Sequence, residues 1–247
     1  MINSLSRETL GLILGTIGVI IFGVTLPMTR IAVQSLDPWF VTSGRAALAG
    51  FVAVLVLSVL RRPWPRRDEM IPLAIGAFFT IIGFPVCTGF AMQLVPASHG
   101  GVVLGILPLV VALFGALASG DRPSLGFWVS AIVGAALVIG FSLRDEAGQL
   151  GLGDLLLLGA VISAAAGYTA FNRVSRGRAG WEVVSWAVVI GLPFTVPIAL
   201  LTAPSDPFSV PVTHWGAFIY LGLMSQYIGF FFWNSGLAIG GQARVSQ

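Results

Sequence analysis

The sequence predicts an all-α membrane protein, on three observations. Hydrophobic residues make up 56% of the chain and charged residues only 9%, whereas soluble domains carry about 25% charged residues. The apolar residues form runs close to the ~20 residues that a membrane-spanning helix requires, and not the short alternating strands of a membrane β-barrel. The runs are separated by Pro, Gly, Asp and Arg, which are typical of turns.

Eight complete spans are predicted, followed by a ninth that is cut short by the end of the chain. They are Leu10–Ala32, Trp39–Leu60, Met70–Leu94, Ser98–Ser119, Leu125–Leu143, Gly153–Val174, Val183–Thr202 and Trp215–Ala238, and the ninth begins near Gly241. The first run is expected to be a retained helix, because no small-residue cleavage site follows it.

The arginines predict which end of each span lies in the cytoplasm. The chain contains no lysine, and its arginines concentrate in loops on one side, above all in the stretch 61–67, while Arg144 falls in a loop on the other side. Positive residues are retained on the cytoplasmic side. We therefore expect a multi-pass protein of the cytoplasmic (inner) membrane with a cytoplasmic N-terminus. The net charge of +3 is a topology signal on this interpretation, and no nucleic-acid partner is expected.

The chain also contains a predicted internal repeat. Gly89–Gly100 and Gly236–Gln247 share an apolar end, a short polar break and an apolar restart. Gly15, Gly23 and Thr25 of the first span are matched by Gly159, Gly167 and Thr169 of the sixth. This pattern predicts a five-helix unit at residues 1–148 and an incomplete copy at 149–247. An odd number of helices inserts the second copy upside down, as in many transporters; chance similarity between apolar helices is the alternative.

Polar and aromatic side chains within the spans predict a binding cavity. Buried polar groups in a membrane tend to face the bundle interior or a water-filled path. The candidate substrate-binding residues are Phe22, Thr25, Arg45, Thr88, His99, Tyr168, Asn172, Gln226, Tyr227 and Trp233. Amides and hydroxyls among aromatic rings favour a small amphipathic substrate, and Asn172→Ala or Trp233→Ala is expected to abolish transport. For each residue a structural contact between helices is the alternative.

The charged residues bear on how transport would be driven. Arg45 is expected either to form a structural ion pair or to bind a substrate carboxylate, and Arg30 to reach the membrane surface or to pair with Asp37. No Asp or Glu lies well inside a predicted span, although coupling to protons or sodium commonly uses such a carboxylate. Facilitated or exchange transport is therefore expected. The alternatives are that coupling runs through His99, which could titrate in the physiological range, or that the missing helices supply the coupling group. No metal or organic cofactor is expected, since the single cysteine excludes a cysteine cluster and phosphate-loop and zinc-protease motifs are missing from the sequence.

Several motifs together resemble EamA-type members of the drug/metabolite transporter superfamily. They are Ile21–Arg30 followed by Asp37-Pro38 and Ser43–Ala47, then Gly89–Ser98, Ile106–Leu109 and Ala118–Asp121. Typical members have Gly-Glu where this chain has Gly120-Asp121, and often Trp-Gly where it has Phe22-Gly23. The resemblance implies ten helices in two inverted repeats, with both termini cytoplasmic and a central cavity lined mainly by helices 1, 3, 4, 6, 8 and 9.

The sequence thus predicts a secondary transporter and not an enzyme. It is expected to export small amphipathic metabolites, such as amino acids, by alternating access around a midplane cavity. A non-transporting membrane scaffold is one alternative, and a homodimer is compatible with either. An inactive, truncated transporter is another, because most of the ninth helix and the whole tenth would be missing. An intramembrane aspartyl protease is a remote alternative: Gly151–Asp154 matches its Gly-x-Gly-Asp motif, but its chemistry needs two neighbouring carboxylates.

Overall fold

The structure, a computed structural model, describes residues 7–119, 125–145, 151–175 and 177–240. These ranges contain helices and no strands, which confirms the all-α class. Seven helices are long and apolar enough to cross a membrane: α1 (Glu8–Ala32), α2 (Pro38–Val59), α3 (Arg67–Leu94), α4 (Ala97–Ala118), α6 (Leu152–Val174), α7 (Gly180–Leu201) and α8 (Val212–Gly236). A further helix, α5 (Leu125–Asp145), coincides with the fifth predicted span. The predicted ninth span lies outside the described residues.

Four of these helices contain an irregular segment. In α1, Arg7–Gly23 is separated from Thr25–Ala32, and in α4, Ala97–Leu104 is separated from Leu107–Ser119. In α3 a π-helical segment, Phe78–Gly83, precedes Pro85, and α8 contains a π-helical segment at Leu221–Ile228. Beyond it the chain is again α-helical over Gly229–Gly240, so the helix extends four residues past the apolar span that ends at Gly236. Such segments in otherwise regular helices are frequent at functional sites.

Proline accounts for three of the four irregular segments. Proline has no backbone N–H and cannot bond the carbonyl four residues earlier. Pro27, Pro85 and Pro108 thus leave the carbonyls of Gly23, Ile81 and Leu104 without their usual helical donors. In α8 no proline is present, and glycine lies instead within the π-helical segment, at Gly222, and directly after it, at Gly229.

Two apolar clusters hold the helices together. The first joins α1, α2, α3, α4, α6 and α8, and its fully buried members include Leu36, Val41, Met92, Leu157 and Leu221. The second joins α2, α3, α6, α7 and α8 and includes Leu57, Leu73, Phe171, Trp186 and Tyr227. Close backbone approach adds to this packing: a Cβ atom at Gly236 of α8 would lie 2.6 Å from the backbone nitrogen of Gly15 in α1.

Arg30 and Asp37 do not pair with each other, contrary to one of the alternatives from the sequence. Arg30 Nη1 donates hydrogen bonds to the carbonyl oxygens of Met92, at 2.7 Å, and Val95. Asp37 caps the N-terminus of α2, where its Oδ1 accepts from the backbone N–H of Trp39 at 2.7 Å, as is usual for Asp at this position. Both residues therefore fix the ends of helices.

Candidate functional site

A cavity of about 370 Å³ lies between the two apolar clusters. Leu26, from the first cluster, and Ile81 and Phe171, from the second, border it. Its other lining residues are Phe22, Gly23, Thr25, Arg45, Thr80, Phe84, Gly101, Leu104, Gly105, Leu107, Ala164, Tyr168, Val184, Ser225, Gln226 and Phe230. The lining comes from α1, α3, α4, α6 and α8, as the family resemblance implies, and from α2 and α7 through Arg45 and Val184. Its volume is near the lower end of the range for small-molecule sites.

Arg45 is the charged residue of this lining. It is only 4% exposed. Its Nη2 donates to Ser225 Oγ at 3.0 Å, and Ser225 Oγ lies 2.8 Å from Thr25 Oγ1. Arg45 Nε is buried and has no hydrogen-bond partner, and Arg45 makes no ion pair with any residue that the structure describes. The structural ion pair expected as one alternative is thus not formed within the described ranges.

The electrostatic balance around Arg45 favours an anion. A buried charge is stable only when it is paired or well hydrogen-bonded. The described cavity lining has no Asp or Glu, so the hydroxyls of Ser225 and Thr25 give Arg45 dipoles and no opposite charge. A carboxylate is the natural bidentate partner of a guanidinium group.

Tyr168 and Gln226 place further polar groups on the cavity wall. Both line it, and Gln226 is 4% exposed. Among the described residues neither the Tyr168 hydroxyl nor the Gln226 amide has a hydrogen-bond partner. Groups of this kind in a largely apolar pocket are those that orient a ligand.

Aromatic rings form much of the remaining wall. The rings of Phe22 and Phe230 meet edge to face with their centroids 4.9 Å apart, and Phe84 and Phe171 line the cavity from α3 and α6. Phe22 was predicted from the sequence, whereas Phe84, Phe171, Phe230 and Ser225 were not. A signal was present for Phe171, which follows Tyr168 by three residues and so lies on the same helical face.

Half of the predicted site residues line this cavity. Phe22, Thr25, Arg45, Tyr168 and Gln226 do so, whereas Thr88, His99, Asn172, Tyr227 and Trp233 do not. Thr88 is buried, and its hydroxyl donates to the carbonyls of Phe84 and Pro85 in its own helix.

Asn172, Tyr227 and Trp233 also lie outside the cavity lining. Asn172 is exposed. Tyr227 neighbours Gln226 in sequence but faces α7, where its hydroxyl lies 2.9 Å from Ser185 Oγ inside the second cluster. A Cβ atom at Gly18 would come within 3.0 Å of Trp233, which places Trp233 against α1.

His99 forms a buried hydrogen bond with Asp154 outside the cavity lining. Its Nε2 lies 2.7 Å from Asp154 Oδ1, and both side chains are at most 3% exposed. Asp154 Oδ2 also accepts from the backbone N–H of Gly151 at the start of α6, where an acidic side chain is favourable. The pair ties the first turn of α4 to the first turn of α6.

A second charged cluster joins the loop before α7 to α3. Arg178 Nη2 and Nε each lie 3.0 Å from Glu69 Oε2. Arg178 Nη1 lies 3.5 Å from Glu182 Oε2, and Arg62 Nη1 lies 3.2 Å from Glu182 Oε1. Glu69, Glu182 and Arg178 are nearly buried, so the cluster acts as a structural contact between the two halves of the sequence.

These features define a multi-pass helical membrane protein with a cavity of small-molecule size among its helices. A family model described as the EamA-like transporter family matches residues 9–143 and 151–247. The chain therefore belongs to the EamA-like transporter family, which confirms the resemblance seen in its motifs. Members of this family are transporters and not enzymes, and the family implies a small-molecule substrate and a lipid environment.

Three relatives and one solved structure are similar to the chain. “Uncharacterized transporter YdeK” of Bacillus subtilis (strain 168) is 40% identical over 243 residues, which cover 98% of this chain and 85% of that protein. “Aromatic amino acid exporter YddG” of Ancylobacter novellus is 26% identical over 228 residues, covering 87% and 76%. “Probable terminal-alkyne amino-acid exporter” of Streptantibioticus cattleyicolor is 22% identical over 224 residues, covering 89% and 74%. A crystal structure that is 21% identical shares the fold, with a TM-score of 0.63 over 93% of this chain and 79% of that one.

Proposed function

We propose that this chain is a secondary transporter that exports small amphipathic metabolites, amino acids among them, and that Arg45 binds their carboxylate. The observation that carries the proposal is the buried Arg45, which lines the cavity with an unpartnered Nε. Two relatives of the chain are named as amino-acid exporters, which supports both the substrate class and the direction.

The rest of the cavity suits the other parts of such a substrate. The rings of Phe22, Phe84 and Phe230 offer an apolar surface to the side chain of the substrate. The Gln226 carbonyl and the Tyr168 hydroxyl can accept hydrogen bonds from its amino group, since neither is engaged by a described residue. A cavity of about 370 Å³ accommodates one small molecule of this kind.

Alternating access is the mechanism that the placement of the cavity favours. Residues 1–148 contribute Phe22, Thr25, Arg45 and Phe84 to the lining, and residues 149–247 contribute Tyr168, Phe171, Ser225, Gln226 and Phe230. A site between two structural repeats is typical of secondary transporters, in which the repeats rock against each other. The π-helical segments in α3 and α8, which the predicted repeat pairs, support the same arrangement.

The test is counterflow of radiolabelled phenylalanine in proteoliposomes, with Arg45→Gln as the variant. A hydrogen bond to a charged group contributes about 1.5–3 kcal/mol, so the loss of Arg45 should weaken substrate binding about 10- to 150-fold. Arg66→Gln is the matched control, because Arg66 is an exposed arginine outside the cavity lining. Equal counterflow by the wild type and Arg45→Gln would remove Arg45 from the site, and no counterflow by the wild type with any amino acid tested would remove the amino-acid assignment.

We further propose that transport is facilitated or an exchange. Three acidic residues of the described ranges are buried, Glu69, Asp154 and Glu182, and none of them lines the cavity. Each lies near the start of a helix and contacts an arginine or a histidine. Adding a proton ionophore while the substrate gradient is held constant should leave the rate unchanged. Loss of transport under that condition would contradict exchange and indicate proton coupling.

A further inference from the structure

A second cavity, of about 250 Å³, lies where α2 ends. One part of its lining is apolar and comes from the helices α2 and α7, and the other part is basic and aromatic and comes from the end of α2, the following loop and α7. The lining residues are Val54, Leu57, Ser58, Arg61, Arg62, Trp64, Trp186 and Val189. Because α2 is a candidate membrane span that ends at Val59, this cavity lies where the chain leaves the membrane.

Arg61 has an unusual backbone conformation at the rim of this cavity. Its φ is +51°, the one positive φ of a non-glycine residue in the described part of the chain. The backbone N–H of Arg62 bonds the carbonyl of Leu57 at 2.9 Å, and that of Arg61 bonds the carbonyl of Ser58 at 3.1 Å. This is the hydrogen-bond pattern of a Schellman motif, in which glycine usually occupies the left-handed position. Strained backbone conformations of this kind cluster at functional sites, so an arginine at a position that favours glycine points to a use for its side chain.

The charge at this rim is only partly neutralised. Arg62 lies 3.2 Å from Glu182 and over the ring of Trp181, with 5.2 Å between the guanidinium carbon and the ring centroid. Arg61, in contrast, makes no ion pair or side-chain hydrogen bond with any residue that the structure describes. The rim therefore keeps a net positive charge that is available to an anion.

Trp186 supplies an unused hydrogen-bond donor in the same lining. Its Nε1 is buried and has no hydrogen-bond partner, which is uncommon for a buried indole. Trp64, 61% exposed, meets the Trp186 ring edge to face at 4.8 Å. Exposed tryptophan is characteristic of the boundary between membrane and water.

We propose that this second cavity binds an anionic phospholipid. The phosphate would be held by Arg61, with Ser58 and the indole N–H of Trp186 as further donors, and an acyl chain would lie along Val54, Leu57 and Val189 between α2 and α7. Basic pockets between membrane helices bind anionic lipid headgroups in this way. The apolar half of the lining favours a lipid over a free phosphate ion, and the site is independent of the transport cavity.

Native mass spectrometry of the purified chain, titrated with phosphatidylglycerol or phosphatidylcholine, tests the proposal. The variant is Arg61→Gln, which keeps a non-glycine residue at the left-handed position and removes the charge. One arginine near an anionic surface is worth about a fivefold change in binding, so phosphatidylglycerol binding should fall about fivefold. Arg66→Gln removes the same charge from the same loop outside the cavity, where Arg66 lies 3.6 Å from Asp68, and should leave binding unchanged.

A second variant and a soluble competitor complete the test. Trp186→Phe keeps a ring and removes the N–H, so it should lower the preference for phosphatidylglycerol over phosphatidylcholine, a ratio that is measured within each variant and does not depend on overall stability. The proposal is overturned if wild type binds both lipids equally, or if Arg61→Gln and Arg66→Gln lower binding equally, which would indicate general surface attraction. It is also overturned if glycerol phosphate displaces phosphatidylglycerol at equal concentration, because the site would then be one for a soluble anion.

Discussion

The close contact between α1 and α8 allows the effect of Gly236→Ala on the free energy of unfolding to be predicted. A Cβ atom at Gly236 would lie 2.6 Å from Gly15 N, 2.8 Å from Gly11 O and 2.9 Å from Gly15 Cα. All three are backbone atoms, which cannot rotate away as a side chain could. Since ordinary contact begins at 3.4 Å, the two helices must separate by about 0.8 Å. A gap of 0.5–1 Å forfeits about a quarter to a half of the dispersion energy between facing atoms.

The free energy of unfolding should fall as a result. Overpacking of this kind destabilises by about 1–3 kcal/mol, while replacing glycine by alanine within a helix contributes about 1 kcal/mol in the opposite direction. Gly216→Ala, in the same helix, is the matched control, because no atom lies within 4 Å of a Cβ at that position. It receives the helical contribution without the clash. The two variants should therefore differ in stability by about 1–3 kcal/mol, with Gly236→Ala the less stable.

Thermal unfolding of both variants in the same detergent measures this difference. Gly236→Ala should have the lower Tm, and Gly216→Ala a Tm equal to or above that of the wild type. If Gly236→Ala is as stable as Gly216→Ala, the helices separate without loss of packing and the argument from backbone contact is refuted.

Three further predictions concern the charged cluster, the cavity and the irregular segments. Arg178→Gln should destabilise the chain by about 1–3 kcal/mol, because Glu69 loses its ion-pair partner, while Glu182 keeps Arg62. In a double-mutant cycle, Glu69→Gln should add less than its separate effect, and simple additivity would show that the ion pair is weak. Tyr168→Phe should weaken substrate binding in the counterflow assay, because Tyr168 lines the cavity. Asn172→Ala should leave substrate binding unchanged, because Asn172 is exposed and lies outside the lining. The reverse result would place the site elsewhere. Pro108→Ala should restore a helical hydrogen bond to the carbonyl of Leu104, and so raise the Tm and slow transport. Pro197→Ala is the control, because Pro197 lies within α7 and outside the cavity lining. Unchanged transport in Pro108→Ala would show that the break in α4 has no role in transport.

The sequence predicted the helices well because each run of apolar residues is a signal in itself. The predicted span Gly153–Val174 differs from α6, Leu152–Val174, by one residue. Helix ends were less accurate where polar residues continue a helix beyond its apolar run. The predicted span Val183–Thr202 begins three residues after α7, which starts at Gly180 with Trp181 and Glu182 in its first turn. Hydropathy identifies the part of a helix that lies within the membrane, whereas the residue at which the helix begins is set by capping.

The site could be predicted only in part. Helical periodicity shows which residues share a face of one helix, but it does not show which neighbouring helix or cavity that face contacts. Tyr168 and Asn172 lie one turn apart on α6, yet Tyr168 lines the cavity and Asn172 is exposed. Gln226 and Tyr227 are adjacent, yet one lines the cavity and the other bonds Ser185. Ser225 was missed since its contact with Arg45 joins residues that are 180 positions apart in sequence, and no local pattern indicates such a pairing.

The irregular segments explain why the cavity lies where it does. A regular helix occupies its own carbonyls, so a polar surface within a membrane must come from side chains or from backbone that departs from the helix. Pro27, Pro85 and Pro108 release the carbonyls of Gly23, Ile81 and Leu104, and all three of these residues line the cavity. In α8, Ser225 and Gln226 come from the π-helical segment. Four helices thus contribute their irregular segments to the lining that contains Arg45, and the sequence signal for three of them is a proline placed four residues after a lining residue. The same segments are where these helices can bend, so Ser225 and Gln226 lie on a part of α8 that can move, whereas Arg45 and Tyr168 lie on the continuous helices α2 and α6.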